Sequence, residues 1–241
     1  MATQPSAAAP APEPVSPVMG LIDVFINPGR LFAGLAGMPK WAWVLPMIIG
    51  IVVTVTVQYL LHPYKGNAIR GMITDDMSPQ MAQALRESAS RGPLGDMIGA
   101  LIAYPIMLLV GAGILTGLAT MFTAKGKFMV LFTGLMFAKL VLMPASILTY
   151  VIVSLRGADS VNSMMDLIWT IGPAMFVTSN KLLFNILSQI QIFEVWYFVL
   201  LVILVEKVTG AKRGTCILVA AIYWLLGAAV QVGMLAMTGL R

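Results

Sequence analysis

The chain has 241 residues, of which 59% are hydrophobic and 10% charged, with a formal net charge of +5. A water-soluble domain carries roughly 25% charged residues to cover its core, so a soluble enzyme, a secreted disulfide scaffold and a disordered regulator are excluded. The apolar residues fall in long runs, and the Lys and Arg residues sit in the short loops between them. That arrangement fits a multi-pass membrane protein touching anionic headgroups, and not a nucleic-acid binder.

Residues 1–17 are rich in Ala and Pro, with one acid, Glu13, and no base. Such a composition buries too little apolar area to offset ordering entropy, so a disordered tail is expected. It has no basic region running into an apolar stretch and is not read as a signal peptide. From Val18 to Lys40, Leu21, Val24, Phe25, Leu31, Phe32 and Leu35 can share a face that breaks at Pro28. A kinked helix lying in the membrane interface is predicted there.

The first span is predicted at about 43–61, flanked by Trp41, Trp43 and Tyr59, with His62-Pro63-Tyr64 ending it. In the polar loop that follows, Ser78 and Pro79 can start a short helix that stops at Arg91-Gly92-Pro93. Asp75-Asp76 lies too far from the next acid, Glu87, to form a metal-binding aspartate cluster. The second span, about 97–121, holds no charge; its Gly113 and Gly117 form a small-xxx-small pair suited to close helix approach.

A basic turn at Lys125-Gly126-Lys127 leads into a third span at about 128–155. Residues 164–176 are apolar but broken by Gly172-Pro173, so a short surface helix is expected. The fourth span is predicted at about 182–205, and after a second basic turn the fifth at about 215–237, where Ala229 and Gly233 repeat the small-residue spacing. The sequence therefore predicts an all-α polytopic membrane protein: a transmembrane domain over 18–241 with five transmembrane helices and an interfacial N-terminal helix. Pro105 and Pro144 fall inside spans and would bend them.

Five spans put the termini on opposite sides. With the N-terminus inside, Arg30, Lys40, Lys125, Lys127, Lys207, Lys212 and Arg213 lie inside, against Lys65, Arg70, Arg86, Arg91, Arg156, Lys181 and Arg241 outside. The numbers tie. The inner turns are short and densely basic, whereas the outer loops interleave Asp and Glu, so the positive-inside tendency favours a cytoplasmic N-terminus.

Three stretches together carry a family resemblance. They are Asp23-Val24-Phe25-Ile26-Asn27-Pro28 with Phe32, Pro39, Trp41 and Pro46; Met77-Ser78-Pro79-Gln80; and Ile190-Gln191-Ile192-Phe193-Glu194-Val195-Trp196 before a basic turn and a last span. In their order the chain resembles the prokaryotic branch of the Yip family, the Ypt/Rab-interacting proteins. The likeness covers nearly everything after Val18, and Phe25, Asn27, Pro28, Phe32, Pro39 and Trp41 form its N-terminal motif. The resemblance implies five spans with a cytosolic N-terminus. Eukaryotic members are linked to vesicle traffic, pair with similar membrane proteins and contact prenylated Rab GTPases. This chain lacks their Asp-Leu-Tyr-Gly-Pro motif and has a short, nearly uncharged tail, so a Rab-type GTPase is not expected as a partner.

Two charges, Lys139 and Glu194, fall about 11 to 12 residues into their predicted helices, near mid-bilayer at ~1.5 Å rise per residue. A charge there costs roughly 2.5–3.5 kcal/mol on insertion scales and usually faces a partner or water. Three readings stand: a structural pair, separate placement nearer the interface, or a titrating site in transport.

No Gly-x-Ser-x-Gly, His-Glu-x-x-His, Walker or Cys-x-x-Cys pattern occurs, and the one cysteine, Cys216, and one histidine, His62, make no ligand set. No catalytic, cofactor or metal residues are expected. The 18 methionines read as flexible packing. The leading expectation is a non-enzymatic scaffold in a prokaryotic inner membrane, acting through other membrane proteins or self-association. The alternative is a small transporter or lipid-handling protein using Lys139 and Glu194.

Overall fold

The computed structural model describes residues 15–74, 77–177 and 180–237; Asp75 and Asp76 lie outside them, as do residues 1–14 of the predicted tail. Every α or 3-10 element is helical, and no strand occurs among the described residues. Four helical stretches are long and apolar enough to cross a membrane: Val44–Gly71, Leu94–Thr123, Phe128–Arg156 and Arg213–Gly233. Their outward faces are covered by large apolar side chains such as Ile48, Val52, Ile102, Ile106, Val110 and Leu225. In water such a surface would aggregate; in lipid it is matched to its surroundings.

Two short helices come first, α1 (Pro17–Ile26) and α2 (Pro28–Gly34). The Ser16 hydroxyl accepts from the Met19 N–H to cap α1, so helix begins inside the stretch predicted as tail. The predicted kink falls at Asn27-Pro28: Asn27 ends α1, and its side chain accepts the Arg30 N–H to cap α2. Of the residues predicted to share one apolar face, Val24, Leu31, Phe32 and Leu35 are buried against the protein, whereas Phe25 points outward. Outward-facing Val18, Met19, Ile22, Phe25 and Ile26 make a second apolar stripe on α1. Asp23, 3% exposed, lies on the buried side with the Arg30 Nε at 3.8 Å. These helices pack against the bundle, α1 on the helix Phe128–Lys139 and α2 on the helix Ile192–Thr209.

Helix α3 runs from Val44 to Gly71, well beyond the predicted end at residue 61. His62-Pro63-Tyr64 does not end it, because Pro63 removes one N–H while the turns beyond carry on and pack against α4 (Pro79–Ser90) and the 164–167 turn. Helix α4 starts and stops where expected, with Met81 N–H donating to the Ser78 hydroxyl. Helix α5 (Leu94–Thr123) continues through Pro105. Lys65 Nζ reaches Asp96 at 3.2 Å, tying α3 to the start of α5.

The third predicted span is two helices, α6 (Phe128–Lys139) and α7 (Met143–Arg156), joined by a 3-10 turn at Leu140–Leu142. Pro144 has no N–H for the Leu140 carbonyl, which accounts for the tightened turn. Between Gly157 and Phe176 only 3-10 turns form, at Ala158–Ser160, Met164–Leu167 and Pro173–Phe176, so the predicted surface α-helix is absent. Gly172 sits so close to the Ile190 carbonyl that a Cβ would collide with it.

The largest departure lies in the predicted fourth span. It is divided into α8 (Lys181–Leu187) and α9 (Ile192–Thr209). The Ser188 hydroxyl and Gln189 amide both donate to the Asn185 carbonyl, at 2.8 and 3.4 Å, and Gln191 is extended at φ −119°. Local polar side chains thus compete for backbone partners where the helix would continue. One side of helix α9 is deeply sheltered; Leu200, Leu201, Leu204 and Val205 are fully buried. It ends on Gly210, whose φ of +66° is a left-handed cap that favours glycine. The last helix, α10 (Arg213–Met237), packs along α9 and α5.

Candidate functional site

A cavity of about 430 Å³ opens among α5, α6, α9 and α10, within the size range of small-molecule pockets. Its walls are mainly apolar, with several polar side chains among them. Lys139 comes from the end of α6, Glu194 and Tyr197 from the first turns of α9, Gln189 from the break before it, Tyr104 from α5, and Tyr223, Trp224 and Gln231 from α10.

Local chain breaks place the two charges. Lys139 is the last residue of α6, just before the turn that Pro144 imposes. Glu194 is in the first turn of α9, so it is not midway along an unbroken helix as the sequence suggested. An acid there is favourably placed against the positive end of the helix dipole. Glycine at 111 gives the cavity depth: a Cβ there would meet the Tyr223 hydroxyl at 2.8 Å. Tyr104 also presses against Gly50 of α3, with no space there for a side chain.

Lys139 and Glu194 line the same cavity but are not within ion-pair distance of each other. The Lys139 Nζ instead lies 4.5 Å from the centre of the Tyr197 ring, a cation–π contact. Tyr197 is 2% exposed and its hydroxyl has no hydrogen-bond partner among the described residues. A buried hydroxyl without a partner costs on the order of 1–3 kcal/mol. Large apolar residues at the rim, Met107, Val110 and Ile114 on α5 with Leu226 and Val230 on α10, face outward. The mouth therefore opens sideways, onto the surface that lipid covers.

The other predicted residues scatter. Asn27 and Pro28 start α2, Phe32 is buried, and Phe25, Pro39 and Trp41 face outward. A Cβ at Gly113, Gly117 or Gly233 would have nothing within 4 Å, and Ala229 is exposed, so none of them joins helices among the described residues. Close approaches use other glycines: Gly134 against Leu35 and Leu204, and Gly20 against Phe137 and Leu31. Among the described residues no three His, Cys, Asp or Glu side chains gather as a metal site, and Cys216 is buried and free.

Sequence reasoning missed Tyr104, Tyr197, Tyr223, Gln189 and Gln231. A signal was present. Membrane tyrosines concentrate at interfaces, and these three stand inside apolar runs on three different helices.

A family model described as the Yip1 domain matches residues 22–234. No curated protein and no solved structure matches the chain.

Proposed function

The chain belongs to the Yip1 domain family, and from that premise we propose that it is a non-enzymatic membrane-organising protein that works through helix contacts with other membrane proteins or with its own copies. The observation that carries this reading is the outer face of α5. Gly113 and Gly117 leave a groove there, open at both Cβ positions, among outward-facing Leu109, Val110 and Ile114. Small-xxx-small grooves let a second helix approach closely in lipid, where packing replaces the hydrophobic effect as the driving force.

In this reading the chain crosses the membrane five times, with α9 as the fourth crossing. Its 18 residues reach ~27 Å at 1.5 Å each, close to the ~30 Å hydrocarbon core. The charges Glu194, Glu206 and Lys207 fall near its two ends, which supports that placement. The N-terminus is cytoplasmic, the α1–α2 segment lies at the inner interface, and the membrane is the inner membrane of a prokaryote. Cross-linking in native membranes tests the scaffold role. Discrete adducts that are lost in Gly113→Ile with Gly117→Ile support it, and recovery of monomers only refutes it.

A second reading is favoured by the cavity itself: a lipid-handling or transport protein whose polar site contains Lys139 and Glu194. Reconstituted vesicles would then show lipid scrambling or flux that Glu194→Gln removes.

A further inference from the structure

The cavity brings a lysine and a glutamate to one space with no ion pair between them. In an apolar setting such a pair is expensive to leave apart, because each side chain loses water and neither has the other as a direct partner. Lys139 is partly compensated by the Tyr197 ring. Glu194 stands on the same cavity wall, beyond ion-pair distance. A ligand that completes both must carry an anionic and a cationic group on one short frame. The Tyr197 ring faces that cation, while its hydroxyl is sealed away from the cavity. The rest of the wall is apolar, and the mouth between Val110 and Val230 faces lipid. The ligand's remaining part must therefore be apolar and arrive from the bilayer.

We propose that the cavity binds the head of a zwitterionic amphiphile, an ammonium-bearing phospholipid such as phosphatidylethanolamine, entering sideways between α5 and α10. The phosphate meets the Lys139 ammonium, and the lipid ammonium meets the Glu194 carboxylate. The acyl chains leave through the mouth along Met107, Val110 and Val230. This deepens the second reading above, since it names the ligand class of that site, but it requires no transport.

The test uses the full chain in vesicles containing phosphatidylethanolamine with a photoreactive acyl chain. Unlabelled phosphatidylethanolamine or phosphatidylglycerol serves as competitor, and adducts are mapped by peptide. Adducts on α5 and α10, displaced at least tenfold better by phosphatidylethanolamine, are expected. Lys139→Gln and Glu194→Gln should each reduce labelling about tenfold. Val110→Trp changes only an outward-facing rim residue, so it keeps the test open if the charge variants fail to fold; it should block labelling while leaving the unfolding midpoint unchanged. Equal displacement by the two lipids, or labelling untouched by all three variants, overturns the proposal. Selective labelling without scrambling supports it and removes the transport reading. Scrambling with equal displacement by both lipids does the reverse.

Discussion

The ammonium of Lys139 lies over the ring of Tyr197 at 4.5 Å from its centre, while the hydroxyl of the same tyrosine is buried without a partner among the described residues. One side chain thus has a compensated face and an uncompensated tip, and substitution can separate the two. Tyr197→Phe keeps the ring and removes the hydroxyl, so the unfolding midpoint of purified protein in detergent should stay the same or rise. Tyr197→Leu also removes the cation–π contact and should lower stability by about 0.5–2 kcal/mol. If both variants lose stability equally, the hydroxyl is bonded in the detergent-solubilised protein.

Gly134 and Gly113 make opposite predictions for one substitution. At Gly134 a Cβ would run into Leu204 and Leu35, so Gly134→Val should destabilise by roughly 1–3 kcal/mol, as overpacked cores do. At Gly113 the space is open, and Gly113→Val should change stability by less than ~0.5 kcal/mol. Thermal unfolding measured side by side decides between them. A large loss at Gly113 in the monomer would mean that its face is packed within the chain.

Asp23 and Arg30 join α1 to α2 at 3.8 Å, the carboxylate buried and the guanidinium 45% exposed. Arg30→Gln leaves the acid without its cation. The loss should fall below the ~3–5 kcal/mol typical of fully buried pairs, because solvent already screens the arginine. Adding Asp23→Asn should recover most of it. Denaturant midpoints for the two single variants and the double variant form the cycle that checks this.

Orientation is testable with single cysteines in a Cys216→Ser background. A cytoplasmic N-terminus places the α5–α6 turn inside and the α4–α5 link outside. Lys127→Cys should then react with an impermeant maleimide only after the membrane is opened, and Arg91→Cys should react in intact cells. The reverse pattern would invert the topology.

Much of the fold is legible in the residues because lipid imposes a coarse rule: long uncharged runs must be helical. The limits of α4 and the kink at Asn27-Pro28 were also readable, since capping and proline chemistry act over a few residues. What escaped depends on context. His62-Pro63-Tyr64 reads as a stop, yet α3 continues to Gly71 because partners await its last turns. The break at Ser188–Gln191 carries polar residues that equally suit a wet helix start. Of the candidate site, Lys139 and Glu194 were visible as charges among apolar neighbours, but their position in one cavity followed from two chain breaks. The tyrosines were harder to foresee, because which face of a uniformly apolar helix turns inward is decided by packing and not by pattern.

The paired apolar faces of α1 bear on how this protein is made. One side of the helix holds Val24 against the bundle, and the other turns Val18, Ile22 and Ile26 outward; α2 rests on α9, a helix encoded most of the chain later. During synthesis the leading segment therefore leaves the ribosome long before its seat exists, with no wet side to shelter behind. It must be parked against bilayer or insertase until α9 arrives, so its docking is a closing step of biogenesis.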